Sequence, residues 1–308
     1  MQETDTRVAL VTGGNGGIGL ETARGLARAG FAVVIHGRNE AKTREAASVV
    51  AKDTNATVDT LTADLADFAQ VRAMAAAFRQ RFGRLDVLVN NAGLFNRTYH
   101  ETADGIEHTF AVNHLGHFVL THELLDLMTP RKGTEPGVGT GVGTGRIVNV
   151  SSRAHERSPR VDFEDLNLRN RYGLWRAYGQ SKLFNIWFTR ELSRRLAGTG
   201  LTTHAVHPGV IATDIVRDTP GVVRWIWGKL AKSVEEGART SLEVALGERA
   251  GRESGGYWRD EKPATPSKQA RDDEGAARLW AESEKLTGAT GWDGKIASLR
   301  MVVDGGVV

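Results

Sequence analysis

The sequence predicts an α/β fold, a doubly wound parallel sheet of seven strands flanked by helices on both faces in a three-layer sandwich. Three observations predict it. Short apolar runs alternate with longer segments of helical period, the strand runs lack polar alternation, and 308 residues at 40% hydrophobic and 25% charged suffice for one large core. Strands apolar throughout are buried on both faces. Helical crossovers between them then give parallel, right-handed connections.

Taken in order, the expected elements are a strand at Val8–Thr12, a helix at Ile18–Ala29, a strand at Phe31–Ile35, a helix at Glu40–Lys52 and a strand at Thr57–Leu61. A helix with the inner face Phe68, Val71, Met74, Ala75, Phe78 and Phe82 precedes the strand run Leu85–Val89. Then come Ile147–Val150, a long helix around Tyr178–Leu196, Leu201–Val206, and a seventh strand near Gly256–Trp258. Gly133–Gly145 is glycine-rich and of low complexity, which predicts a surface loop. Asp260–Ser267, with Pro263 and Pro266, predicts a second flexible zone ahead of a charged helix at Gln269–Lys285. One domain over 1–290, with a substrate lid at 210–235, leaves 291–308 as a tail without an assigned role.

Several classes of function fall away on composition. With no cysteine there are no disulfides, thiolate metal sites or cysteine nucleophiles, so redox chemistry requires a bound cofactor, and a cytoplasmic location is expected. Forty basic against 37 acidic residues give +3 with no basic block, which argues against nucleic acid as a partner. Five polar or charged residues at Gln2–Thr6 predict neither a signal peptide nor a spanning helix. No metal site is expected: His122-Glu123 lacks the second histidine of a zinc helix, and His114 and His117 read as packing or hydrogen-bonding residues. Neither Ser151 nor Ser152 sits in the glycine-flanked elbow of a hydrolase nucleophile.

Thr12-Gly13-Gly14-Asn15-Gly16-Gly17-Ile18-Gly19 ends the first strand and opens the first helix. Glycines permit a tight turn and a close backbone approach to a pyrophosphate, and the helix N-terminus favours the anion. The fold expected is therefore Rossmann-type, with Thr12, Gly13, Asn15, Gly17, Ile18 and Gly19 as candidate cofactor contacts. The second strand ends Ile35-His36-Gly37-Arg38, without the carboxylate that would hold the ribose of NAD. A guanidinium there suits the additional phosphate of NADP, so NADP(H) is favoured over NAD(H). Tyr178 and Lys182, four apart, share a helix face. An adjacent ammonium stabilises phenolate, making the tyrosine a general acid for a carbonyl or a general base for an alcohol.

From Val8 to about Leu286 the sequence resembles the short-chain dehydrogenase/reductase family. Thr12–Gly19 is similar to its cofactor turn, Asp64-Leu65 to its adenine-contacting pair, and Asn90-Asn91-Ala92-Gly93 to the motif that closes the fourth strand over the cofactor. Asn113, Ser152, Tyr178 and Lys182 match its catalytic tetrad. The resemblance implies that Ser152 holds the substrate oxygen, Tyr178 transfers the proton, Lys182 also holds the nicotinamide ribose, and Asn113 supports a proton-relaying water. It further implies cofactor contacts at Asn91, Ala92 and Gly93, and Pro208, Gly209 and Thr213 beside the nicotinamide carboxamide. Ser151 rivals Ser152, since neighbours on a strand point opposite ways; alignment to the family favours Ser152.

Within the family, Arg146–Ser152 with His155, Tyr178–Leu183 with Thr189–Leu192, and His204–Gly209 resemble the retinol dehydrogenase group. The expected function is NADP(H)-dependent interconversion of a carbonyl and an alcohol on an apolar or bulky aldehyde or ketone, with Trp225 and Trp227 of the lid contacting substrate beside Ser152 and Tyr178. The alternatives are a nucleotide-sugar epimerase or dehydratase with bound NAD, and a non-catalytic NADP-sensing regulator. Beyond the small-molecule substrate, a homodimer or homotetramer is expected. Phe184, Ile186, Trp187 and Phe188 spread around the long helix, more apolar surface than one sheet face needs.

Overall fold

The computed structural model describes residues 6–129, 145–209 and 233–303. Its sheet-forming elements are β1 (Val8–Thr12), β2 (Ala32–Gly37), β3 (Val58–Thr62), β4 (Val87–Asn90), β5 (Arg146–Val150), β6 (Thr202–His207), β7 (Tyr257–Arg259) and β8 (Lys262–Ala264). They form one sheet in the order β3-β2-β1-β4-β5-β6-β7-β8. The first seven pair in parallel, and β8 returns antiparallel along β7, with Trp258 opposite Pro263. Among the described residues the seven parallel strands expected are joined by an eighth, because the Asp260–Ser267 zone is a hairpin arm. Its two prolines hid it, since Pro is compatible with an edge strand that has no ladder to donate to beyond it.

The helices are α1 (Gly17–Arg28), α2 (Glu40–Thr54), α3 (Phe68–Arg81), α4, α5 (Leu174–Arg195), α6 (Val234–Leu246), α7 (Glu248–Arg252), α8 (Asp273–Thr287) and α9 (Trp292–Val303). Helix α4 is composite: a turn at His108–Phe110, a π-turn at Ala111–Leu115 and an α segment at Gly116–Leu124. Phe82 is the C-cap of α3 and still packs on the core beside Phe78, and α5 starts a turn earlier than expected. Among the described residues no helix is long and apolar enough to cross a membrane.

Alternate strand residues feed two cores. Leu10, Leu88, Ile147 and Ala205 face one, packed under α3, α4, α5, α8 and α9. Ala9, Val11, Val89, Val148 and Val206 face the other, under α1, α2 and α6. This is why the strands read as unbroken apolar runs. The apolar circumference of α5 is filled by the chain itself: Trp280 of α8 and Trp292 of α9 pack on Phe188 and Phe118, and Trp187 stacks on Phe163. That circumference therefore gives no ground for a subunit contact. Residues 292–303, read as tail from the sequence, are helical with Trp292, Ile296 and Leu299 buried. The Gly133–Gly145 segment up to residue 144, residues 210–232 of the lid expected at 210–235, and the final residues 304–308 lie outside the described residues, and 233–235 are the cap and start of α6.

Strand order reverses between β1 and β4, the switch point at which an open α/β sheet presents a crevice beyond its carboxyl ends. The described candidate segments after β1, β2, β4, β5 and β6 leave the sheet on that side.

Candidate active site

Helix α1 starts at Gly17 with no side-chain cap and no acidic residue in its first turn. By contrast, α2 and α3 are capped by Asn39 and Asp67. An uncapped first turn leaves backbone N–H groups free for an anion. Gly13 has φ +63, and a Cβ on Gly19 would sit 2.3 Å from the Gly13 carbonyl oxygen, so only glycine lets helix and turn approach this closely. Asn15 donates to Thr43 Oγ1 at 3.3 Å.

Thr12 anchors the turn to the end of β4. Its hydroxyl accepts from the N–H groups of Asn91 (2.9 Å) and Ala92 (3.0 Å), while Asn91 Nδ2 donates to the Thr12 carbonyl at 2.8 Å. With both lone pairs used, the hydroxyl proton is left for His117 Nε2 at 2.9 Å and, more distantly, Val89 O at 3.3 Å. His117 Nδ1–H then donates to the Asn113 carbonyl at 3.1 Å. Burial holds the His117 pKa down at about 3, so the imidazole stays neutral as this chain requires.

Asn113 lies in the π-turn of α4, the kind of local offset that re-aims a side chain. Its amide accepts from Leu94 N–H (2.8 Å) and donates to Leu94 O (2.9 Å) and Ser181 Oγ (3.0 Å). It thereby staples the loop after β4 to the helix bearing Tyr178 and Lys182. The Lys182 ammonium donates to Val150 O at 3.0 Å, and burial lowers its pKa to about 8.

Ser151 and Ser152 do point opposite ways. Ser151 Oγ is buried and donates to Lys182 O at 2.7 Å, locking β5 to α5. Ser152 faces Tyr178, and its hydroxyl draws the phenol pKa down. The larger influence is burial, which pushes that phenol up. The ammonium, 5.6 Å from the Tyr178 ring centroid, is spent on Val150, so the structure departs from the expected lysine-lowered tyrosine. His155 fixes the serine turn from behind. Its Nε2 accepts from Ser267 N–H at 3.1 Å, so Nδ1 carries the proton it donates to Ser152 O at 2.6 Å.

At the far end of the crevice, Arg38 is 69% exposed at its side chain and 3.8 Å from the Asp64 carboxylate. The Asp64 carboxylate also accepts from Ala66 N–H at 2.9 Å, and the Leu65 side chain packs in the core. Sequence reading missed Lys42, whose ammonium lies beside Gly16 of the turn. Its position in the first turn of α2, behind the Asn39 cap, is the signal that could have found it. Pro208 and Gly209 follow β6 directly, Gly209 at φ +95. Thr213, Trp225 and Trp227 lie outside the described residues.

These residues fit a nicotinamide dinucleotide. A Cβ on Gly93 would come within 3.2 Å of the Lys182 ammonium and 3.4 Å of Asn113 Oδ1, so the missing side chain is what opens the cradle between them.

Residues 7–221 match the family model described as short chain dehydrogenase. Retinol dehydrogenase 12 from Homo sapiens is 43% identical over 285 residues, covering 92% of this chain and 86% of the relative. Retinol dehydrogenase 13 from Homo sapiens is 40% identical over 295 residues, covering 92% and 85%. The crystal structure of an uncharacterized protein from Mycobacterium paratuberculosis superposes with TM-score 0.73 at 36% identity, covering 92% and 93%. A blue fluorescent protein from a metagenomic library, solved in complex with NADPH, gives 0.64 at 27% identity, covering 84% and 97%. With its turn, its sheet and its clustered Asn113, Ser152, Tyr178 and Lys182, the chain belongs to the short chain dehydrogenase family: it is an oxidoreductase that uses a nicotinamide cofactor to interconvert alcohols and carbonyls, and it resembles the retinol dehydrogenase group.

Proposed function

We propose that the protein is an NADP(H)-dependent carbonyl reductase and alcohol dehydrogenase for apolar, bulky aldehydes or ketones. The observation that carries this reading is the convergence of Ser152, Tyr178, Lys182 and Asn113 at the mouth of the crevice, held by hydrogen bonds from β5, α4 and α5. The bound nicotinamide supplies or accepts the hydride. Ser152 Oγ orients the substrate oxygen and Tyr178 gives it a proton in reduction, or takes one in oxidation. The Lys182 ammonium, bonded to Val150 O, is the group that would hold the nicotinamide ribose, and Asn113 fixes the helix that carries both groups.

The preference for NADP(H) rests on Arg38 and Lys42, two cations at the adenosine end, and on the missing carboxylate at the end of β2. The NADPH complex of the metagenomic relative supports it. Arg38→Asp is expected to reverse the ratio of kcat/KM for NADPH over NADH; an unchanged ratio would remove Arg38 from that role. Oxidation of NADPH and NADH should be followed with small aldehydes, aromatic ketones, retinal and polycyclic ketones. Turnover concentrated on NADPH and the bulky members supports the reading, and turnover of none refutes it.

A further inference from the structure

We infer that Phe95 and Trp175 form a stacking platform for the flat, non-reacting part of the substrate, which makes the site selective for aromatic or conjugated carbonyl compounds. The inference rests on the carbonyl chemistry proposed above and adds the residues that choose among carbonyls.

Trp175 stands three residues before Tyr178, so the two project from one side of α5. Its side chain is 63% exposed, while Trp187, Trp258 and Trp292 are fully buried. Phe95 lies between Trp175 and Tyr178. Its ring stacks on Trp175 with centroids 6.4 Å apart and planes 15° apart, and meets the Tyr178 ring edge-on at 5.8 Å. A continuous aromatic surface therefore runs from the proton-transferring phenol outward to solvent.

The platform is held in place before any ligand arrives. Leu94, one residue before Phe95, is pinned at both its N–H and its carbonyl by the Asn113 amide. Asn96, one residue after, has its carbonyl held by the Tyr172 hydroxyl at 2.7 Å and its side chain hydrogen-bonded to His108 Nδ1 at 3.0 Å. Tyr172 is itself packed edge-on against Tyr99 at 5.4 Å. The residue that sets Phe95 on one side is thus the catalytic-site asparagine, which ties platform and chemistry into one frame. A rigid aromatic face loses little entropy on binding, so its stacking contributes fully to affinity.

Continuity with Tyr178 selects the occupant. A substrate whose carbonyl oxygen reaches Ser152 and Tyr178 lays its remainder across Phe95, and only one with a second ring or a conjugated chain extends to Trp175.

The test compares acetylnaphthalene with butanone, two methyl ketones alike at the carbonyl and different beyond it. In Trp175→Ala the ratio of kcat/KM for acetylnaphthalene to that for butanone should fall about five- to ten-fold, the loss of one stacked aromatic pair. Most of the change should appear in KM, with Trp175→Phe restoring part of it and Phe95→Leu acting in the same direction. An unchanged ratio overturns the proposal. A lower molecular mass in solution with an unchanged ratio makes Trp175 a contact with a second copy of the chain, and overturns it equally. Calorimetric titration of acetylnaphthalene into the NADP-loaded protein separates the two readings. If wild type reduces neither these ketones nor any member of the wider panel, the carbonyl chemistry fails, and the platform then stands on weaker acetylnaphthalene binding in Trp175→Ala and falls if that binding is unchanged.

Discussion

In the first half of α5, from Leu174 to Lys182, the side chains that matter are fixed by single polar contacts: Ser181 to Asn113, Lys182 to Val150, Tyr178 beside Ser152. In the second half, from Leu183 to Arg195, Phe184, Trp187 and Phe188 are fixed by burial among α4, α8 and α9. One helix of 22 residues thus carries the proposed chemistry at one end and its anchorage at the other. The division lets the reactive end keep a partly exposed tyrosine and a desolvated ammonium, which contribute little to stability, because the packed end holds the helix in place.

Changes at either end test the division. The largest effect is expected for Tyr178→Phe, which should lower kcat by roughly two to four orders of magnitude. Its urea midpoint should stay at the wild-type value, and a large shift would show that the reactive end is structural after all. At the packed end, Trp187→Ala should cost about 3–5 kcal/mol in urea unfolding, because the indole stacks on Phe163 and Phe184 and donates to Gln269 O at 2.8 Å. The fraction still folded should retain wild-type KM for the cofactor.

Lys182 stands at the junction and sharpens the comparison through pH. Burial takes its pKa from 10.5 to about 8, so the folded state releases this proton first. The cost of burying the charge is full below pH 8 and fades as pH rises toward 10.5. Lys182→Met should therefore unfold at a higher temperature than wild type at pH 7, with the gap shrinking by pH 10, while losing activity at both. A constant gap would mean that the ammonium is not the source.

The smallest effect is expected at His114, enclosed by Phe110, Phe118, Phe184 and Phe188 and bonded to Ser283 Oγ at 2.9 Å. Burial lowers its pKa from 6.5 to about 3, so the unfolded chain binds a proton that the folded chain refuses. Stability is lost as pH falls through 6.5 toward 3, at up to ~1.4 kcal/mol per pH unit for one such group. His114→Phe keeps the packing and should flatten that slope in denaturant titrations at pH 7, 5.5 and 4.5.

The glycine turn was legible because its tight backbone demands glycine at Gly13, with its positive φ, and at Gly19, where a Cβ would meet the Gly13 carbonyl, and the demand is local. Tyr178 and Lys182 were legible because helical spacing alone puts them on one face. Ser151 and Ser152 could be separated only by what each meets, one the carbonyl of Lys182 and the other the phenol of Tyr178. His117 was legible as a hydrogen-bonding residue but not its partner Thr12, and Lys42 and Phe95 escaped because each matters through a partner distant in sequence, Gly16 and Trp175.

By itself the sequence determined the layered α/β fold, through apolar strand runs and the helical period, and the residue types of the reactive centre, through spacings within single elements. Tertiary structure decided the eighth strand, the helical tail beneath α5, the tautomers of His117 and His155, and the aromatic face beside Tyr178. The physical reason is range. Backbone conformation and periodicity are written in a few consecutive residues, whereas burial and hydrogen-bond partnership depend on which distant segments the sheet brings together.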